Sequence, residues 1–428
     1  MGMKKTEIGM IPEEWGVQSF SDTFRVLNNN TYSRAELNYD SGQFKNIHYG
    51  DVLILFPEVL DCTREDVPYI NDGLRISSSA QPLQDGDVVM ADTAEDETVG
   101  KVTEVTNTSD KPVMAGLHTI PFRVKFGQFV PKWLGYYMNS HLYHDQLLPY
   151  IHGTKVSSVS KGSLGDTVII VPKISEQEKV VNALSDVNTL IENLKKLIRK
   201  KKDIRQGTMQ MLVTGKKRLS GFDGNWRVTT LDQLCYIVTK QTGFDYSAEI
   251  KPSLVTTPQI GTIPFIQNKD FEAFDINYNT DFFIPYDVAE KYPRILLNEA
   301  CLLISISGRI GNVAVFDNEQ TSFAGGAVGI AKLYEPELAS WCMLYLSSKD
   351  GQEQIFSNEK VGAQHNLTVA DVRKLEIKMP AKSEREAIIK VLTDMNDEIE
   401  VLEEKLDKYQ KIKQGMMEEL LTGKVRLM

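Results

Sequence analysis

The segment RQGTMQMLVTGKKRL at residues 205–219 returns as KQGMMEELLTGKVRL at residues 413–427, and no other feature limits the possible folds so strongly. Shifting the sequence against itself by 208 positions gives ten identities in the 17 positions that begin at Ile204, without a gap. The register continues upstream, where SEQEKVVNALSDVNTLIENL meets SEREAIIKVLTDMNDEIEVL and Trp133 of VPKWLGYYMNS falls on Trp341 of LASWCMLYLSS. With small offsets EEWGVQSF matches GNWRVTTL, and AGLHTIPFRV matches AGGAVGIAKL. A repeat of this length makes the chain two copies of one long unit, so the fold must be built twice.

The closely matched part of each copy reads as a long helix. Val180, Leu184, Val187, Ile191, Leu194 and Ile198 recur in alternating steps of four and three, and Ile388, Leu392, Met395, Ile399, Leu402 and Leu406 repeat the pattern in the same register. That is a heptad seam, which packs one helix against another. Ser175 followed by Glu178, and Ser383 followed by Glu386, have capping-box spacing and predict the helix starts. Gly215 and Gly423 predict the ends, because glycine takes the left-handed conformation that stops a helix. A helix over 176–213 spans roughly 55 Å at 1.5 Å per residue. One chain carries both partners in matched register, which favours an intramolecular antiparallel pair over an intermolecular coiled coil.

The less matched parts are strand-rich. VPYINDGLRI, DGDVVMAD, TIPFRVKF, DTVIIVP, TIPFIQN, ACLLISISG and GNVAVFD are short apolar or alternating stretches broken by Gly, Pro, Asn and Asp. KWLGYYMNSHLYHDQLL and ELASWCMLYLSSKDGQEQIF read as one helix in each copy. The expected class is α+β: two strand-rich domains, 1–172 and 221–380, separated by two long antiparallel coiled-coil helices, 173–220 and 381–428, with an internal pseudo-two-fold repeat. Such an arrangement holds two related heads apart along a line and suits a partner with two similar sites.

Composition excludes several classes. No apolar run reaches the roughly 18 residues of a membrane span, and MGMKKTEIGMIPEEW lacks the apolar core of a signal peptide, so a cytoplasmic protein is expected. Cys62, Cys235, Cys301 and Cys342 are scattered without a CxxC pair and read as reduced, buried thiols. His141, His144 and His152 lack acidic or thiol co-ligands at a recognisable spacing and read as solvated or capping residues rather than a metal site. GxGxxG, P-loop, GxSxG and HExxH motifs are absent, as is the Asn/Asp-Pro-Pro-aromatic motif of amino-methylating enzymes. The chain therefore reads as non-catalytic.

Charge is unevenly placed. The first head has 14 basic against 22 acidic residues and the second 13 against 20, whereas residues 173–220 have 12 against 5. The basic run KKLIRKKKDIRQG is either a solvated helix face or a contact for phosphate or an acidic partner. Acidic heads bind DNA poorly unaided, because phosphate neutralisation supplies much of the affinity.

TEIGMIPEEWGV leading into a strand-rich domain, the VP-x-x-SEQE entry to a heptad helix, the exit at LVTGKKRLSGF, the second start NWRVTTLDQL and the closing LLTGKVRL together resemble the specificity subunit of Type I restriction-modification systems. The resemblance covers essentially the whole chain and is sharpest in the helices and their TGK-x-RL ends. It implies that the two heads are target recognition domains, each reading half of a bipartite double-stranded DNA sequence, while the helices set the gap and dock two methyltransferase subunits. Restriction/translocase subunits join the full complex. No cofactor is expected on this chain, and S-adenosylmethionine is expected on the methyltransferase partner. A two-headed adaptor that binds proteins without DNA is the other reading, and the acidic heads favour it.

Within that resemblance Lys216, Arg218, Lys424 and Arg426 are expected to be exposed and to dock the partner subunits, with Leu212 and Leu420 in the core. Base reading calls for side chains with paired donors and acceptors on loops or strand ends. The equivalent polar loops HGTKVSSVS and VGAQHNLTV offer Lys155, Ser157 and Ser158 in the first head and Gln364, His365 and Asn366 in the second. SISGRIGN adds Arg309 and Asn312, and Arg75 and His118 complete the candidates. Solvated loop residues are the competing reading for each.

Overall fold

The computed structural model describes residues 2–64, 66–76, 79–153, 156–273, 275–317, 319–357 and 366–427. In the first head the main strands are β1 (Gly16–Ser19), β2 (Phe24–Val26), β3 (Lys45–Ile47), β4 (Val59–Asp61), β5 (Val88–Ala91), β6 (Val102–Thr106), β7 (Val113–Ala115) and β8 (Thr119–Val124). Helix α1 (Trp133–Met138) and β9 (Val168–Val171) follow, and β9 leads into the long helix α2 (Ile174–Val213). The central sheet has the order β2-β8-β5-β6-β4, antiparallel except for the parallel β6–β4 edge. Alternation along β5 sends Val88 and Met90 to a core shared with Trp133 and Tyr137, and Val89 and Ala91 to a second core with Ile47 and Val113. Both faces of this strand are buried, which is why it is a continuous apolar run. β3 and β7 pair in parallel within the second layer, and β1 pairs with β9 so that the head's entry is tied to its exit.

The second head repeats this plan with β10 (Arg227–Thr230), β11 (Cys235–Lys240), β12 (Thr262–Ile266), β13 (Cys301–Ser305), β14 (Val313–Phe316), β15 (Ser322–Ala324) and β16 (Val328–Leu333). Helix α3 (Ala339–Leu346) and β17 (Glu376–Met379) precede the long helix α4 (Lys382–Leu420). The sheet order is β11-β16-β13-β14, β12 runs parallel to β15, and β10 pairs with β17. Leu302 and Ile304 of β13 face one core and Cys301 and Leu303 the other, the same division as along β5. Each strand expected from the short apolar stretches is present.

The helices differ from the expectation in two ways. Each head helix is broken: α1 stops before His141–His144, and α3 stops before Lys349–Ser357. At the breaks Ser140 Oγ donates to the Tyr137 carbonyl and Ser348 Oγ to the Tyr345 carbonyl, each at 2.6 Å, so a hydroxyl competes with the helical ladder. The long helices begin two residues earlier than the capping boxes predict. Ser175 and Ser383 lie within the first turn, because the Lys173 and Ala381 carbonyls already accept the opening helical N–H groups. The predicted ends hold: Gly215 and Gly423 are left-handed, with φ of 74° and 70°.

The chain divides into two compact units, one of Met1–Lys195 with Glu404–Met428 and one of Lys196–Glu403, so each unit takes the start of one long helix and the end of the other. In the first unit Lys413 Nζ donates to Glu58 at 2.7 Å and to Asn188 at 2.9 Å, and Arg426 meets Glu176. In the second, Lys201 meets Glu398 at 2.6 Å, Lys202 meets Glu403 at 2.7 Å, and Arg218 meets Glu384. Rising numbers on one helix thus meet falling numbers on the other within each unit. Val180, Leu184, Ile191, Leu194, Ile198, Ile388, Leu392 and Ile399 are buried, while Val187, Met395, Leu402 and Leu406 are half-buried. Leu212 and Leu420 are buried in the cores of their units.

All four cysteines are buried and unpaired, and burial pushes the Cys62, Cys235 and Cys301 thiols up to about 12. Among the described residues no helix is long and apolar enough to cross a membrane.

Candidate nucleic-acid interface and its mounting

Each unit locks a tryptophan, a glutamate and an arginine together where one long helix starts and the other ends. In the first, the Trp15 indole N–H donates to Glu176 at 2.9 Å, and Arg426 donates to both oxygens of the same carboxylate at 2.6 and 3.0 Å. Arg426 also reaches Glu14 at 2.9 Å and holds that carboxyl below its ordinary range. In the second, Trp226 donates to Glu384 at 3.0 Å and Arg218 forks onto the same group, with its Nη2 at 2.6 Å. The Arg218 guanidinium lies 5.2 Å from the Trp226 ring centroid. Glu176 and Glu384 are buried, so this planar two-point pairing is what makes their charge tolerable.

These contacts correct the expectation for the helix ends. Arg218 and Arg426 are half-buried rather than exposed, because their planar forks are spent on buried carboxylates of the same unit. Lys216 and Lys424 remain exposed at 58% and 52%, with long contacts to Asp350 at 3.7 Å and Glu418 at 3.6 Å. The glycines at the helix ends do more than turn the chain. A Cβ on Gly423 would stand 2.5 Å from Pro12 Cγ, and one on Gly215 would stand 3.3 Å from Trp226. The mounting glutamates were missed in the sequence, although the shared SEQE and SERE openings contain them.

The candidate reading residues gather at one end of each central sheet, where β5 or β13 leaves the core. In the first head Ser157 and Ser158 pair with Ala94 and Thr93, the residues just beyond β5. His118, left-handed at φ 52° and half exposed, lies 3.4 Å from Thr93 Oγ1 and 3.5 Å from Asp92. Residues that sequence reasoning missed line the same end. Asn29 donates to the Gly116 carbonyl at 2.9 Å, Asn30 donates to Asn46 at 2.8 Å, and Asn46 Nδ2 is buried with no partner among the described residues. His48 is held below its ordinary pKa by burial and by the nearby Arg34 guanidinium. The NNN run at 28–30 was the available signal.

In the second head Ser307 bridges Asn366, as Thr93 pairs with Ser158 in the first. Asn268 donates to the Ser307 carbonyl at 2.8 Å, which brings it to the loop that carries Arg309 and Asn312. Gln241 is buried at the end of β11, where both amide atoms lack partners among the described residues and Oε1 faces Gly326. The IQN that follows β12 was the sequence signal for Asn268, in the place that IHY takes after β3. Arg75 is exposed, and its carbonyl accepts from Tyr32 at 2.6 Å on a separate loop of the first head. Lys155, Gln364 and His365 lie outside the described residues. Amide-rich sheet ends of this kind present paired donors and acceptors, the chemistry of adenine and guanine edges.

Comparison with known proteins agrees with this geometry. Residues 224–413 match the family model for the Type I restriction modification DNA specificity domain. A Methanocaldococcus jannaschii sequence assigned by name to the type I restriction enzyme MjaX specificity subunit is 24% identical over 99% of this chain and 96% of its own length. The MjaVIII specificity subunit of the same organism is 24% identical over 64% of this chain and 66% of its own length. A chain from a structure of complex assembly and conformational transition in the type I R-M system has a TM-score of 0.57 at 16% identity, covering 97% of this chain and 99% of that one. The Type I S subunit from M. genitalium has a TM-score of 0.50 at 13% identity, covering 96% of both. A two-headed α+β architecture mounted on long helices is the class of molecule these observations define. Residues 224–413 match a Type I restriction modification DNA specificity domain, and over nearly its whole length the chain has the fold of the Type I S subunit.

Proposed function

We propose that this chain is the non-catalytic DNA specificity subunit of a Type I restriction-modification complex, with head residues 1–172 and 221–380 each reading one half of a bipartite duplex target. The long helices, 173–220 and 381–428, act as an antiparallel coiled-coil spacer with pseudo-two-fold symmetry and set the gap between half-sites. Two methyltransferase subunits bring S-adenosylmethionine and the positive field that acidic heads lack. Restriction/translocase subunits complete the assembly. Exposed Lys216 and Lys424 and the basic run at 195–205 supply the docking charge on this chain.

The observation that carries this reading is the pairing of a repeated mounting with two unlike polar sheet ends. A single ligand site would need only one such end, and a catalytic site would need a nucleophile or a metal set. The test is to map methylated adenines made by the reconstituted complex with Ser158→Ala and Asn366→Ala chains. Each substitution should relax only its own half-site, by about fivefold or more. If both half-sites relax together, the division of labour between heads is wrong. A gel shift of the complex on genomic fragments separates DNA reading from the protein-adaptor alternative, which predicts no shift.

A further inference from the structure

The loop between β13 and β14, residues 305–312, is braced from three sides although it lies at the surface. Ser305 and Asn312 are bonded twice: the Ser305 N–H donates to the Asn312 carbonyl at 2.8 Å, and Ser305 Oγ accepts the Asn312 N–H at 2.8 Å. Asn268 donates to the Ser307 carbonyl at 2.8 Å, Gln352 donates to the Gly311 carbonyl at 2.9 Å, and Ile306 accepts from the Leu367 N–H at 2.8 Å. Gly308 and Gly311 are left-handed, at φ 72° and 96°. A Cβ on Gly311 would stand 2.7 Å from Gln352 Oε1, so the brace needs that glycine.

Between the two glycines stands Arg309, the single cation of SISGRIGN, exposed and without an ion-pair or hydrogen-bond partner among the described residues. A surface that merely follows phosphates carries clustered Lys and Arg and needs little precision. Here one guanidinium is set on a pre-organised turn among uncharged amides, Asn268, Asn312 and Asn366, within a head of net negative charge. Fixing the backbone that carries a planar two-donor fork matters for reading the O6 and N7 acceptors of guanine, and matters little for a diffuse phosphate charge.

We infer that Arg309 is a specificity-determining residue of the second head that reads a guanine in its half-site, and that Asn268 and Gln352 are positioning residues for it. The inference rests on the DNA-reading function proposed above. Wild-type complex is first used to define the methylated motif. Binding is then measured on duplexes carrying that motif with each base pair of the second head's half-site changed in turn.

Arg309→Ala should reduce discrimination at one guanine-containing position by about tenfold to a hundredfold and leave the other positions unchanged. Arg309→Lys keeps the charge and loses the fork, so discrimination should fall at that position while the salt dependence stays near wild type. Asn268→Ala should weaken preference at the same position by a smaller factor, with an unchanged melting temperature. A uniform loss of affinity for every duplex, with the salt slope reduced by about one, would make Arg309 a phosphate contact and overturn the inference. Unchanged discrimination in Arg309→Ala would overturn it equally. A wild-type complex without any bipartite preference would instead remove the DNA-reading function on which the inference rests.

Discussion

The two mountings and the two sheet ends divide the molecule into what is copied and what is not. Trp15, Glu176, Arg426 and Gly423 have Trp226, Glu384, Arg218 and Gly215 as counterparts, residue type for residue type. At the sheet ends the pairing is kept but the chemistry changes: Thr93 against Ser158 becomes Ser307 against Asn366, and the acidic DTAEDE loop after β5 becomes SISGRIGN after β13. Identity is kept where both halves present the same geometry, and relaxed where, on the proposed function, each half has its own ligand to read.

The comparison is most directly broken at the mounting carboxylates. Glu384→Ala strands the Arg218 fork and the Trp226 N–H, and should destabilise the second unit by about 3 kcal/mol. Glu176→Ala should do the same to the first, and thermal unfolding of each variant checks the equivalence. Unequal losses would mean that the mountings are alike in residue type only. Lys216→Glu and Lys424→Glu leave these carboxylates untouched and should weaken methyltransferase pull-down without lowering the melting temperature.

The next effect sharpens a difference between the heads. Burial pushes the Glu104 carboxyl up to about 7. It accepts the Lys132 and Gly135 N–H groups at 2.5 and 2.9 Å where α1 begins. Strand register gives the second head Val315 in its place. Because the folded value lies above the unfolded one, this group's contribution is full below about pH 4.5 and is lost as pH rises through about 7. The loss is on the order of 3 kcal/mol. Denaturant titrations at pH 5 and pH 8 should show it in the first unit, and Glu104→Gln should flatten it.

Smaller effects follow at the helix ends. Gly215→Ala should cost about 1–2 kcal/mol for the left-handed backbone alone. Gly423→Ala should cost more, because Pro12 crowds it in addition. Last comes the exposed Lys201–Glu398 pair: Lys201→Ala should change stability by less than about 1 kcal/mol, and that little should vanish in high salt.

The repeat, the long helices, their glycine ends and the strand-rich heads were legible because each is written in local periodicity or local punctuation. Val180 and Leu184 announce a buried stripe without reference to anything distant. The mounting was not legible, since Arg218 looks like any terminal arginine until Glu384, far along the chain, is brought to it and to Trp226. Asn268 and Gln241 were hidden for the same reason: an amide after a strand is common, and only the sheet topology collects several at one end. Ser175 misled because a capping-box spacing occurred one residue inside a helix whose first carbonyl belongs to Lys173.

The Glu176–Arg426 contact joins residues 250 positions apart, whereas β1 through β9 precede both halves of that contact. On the ribosome the first head therefore has its sheets and one long helix available well before the residues that close it, Leu420 and Leu421 of its core among them, exist. The segment that follows α4 acts as a latch delivered late in synthesis, so a nascent chain that stalls before Arg426 leaves Glu176 without its guanidinium. Completion of the N-terminal head thereby becomes a report that the second head has already been made.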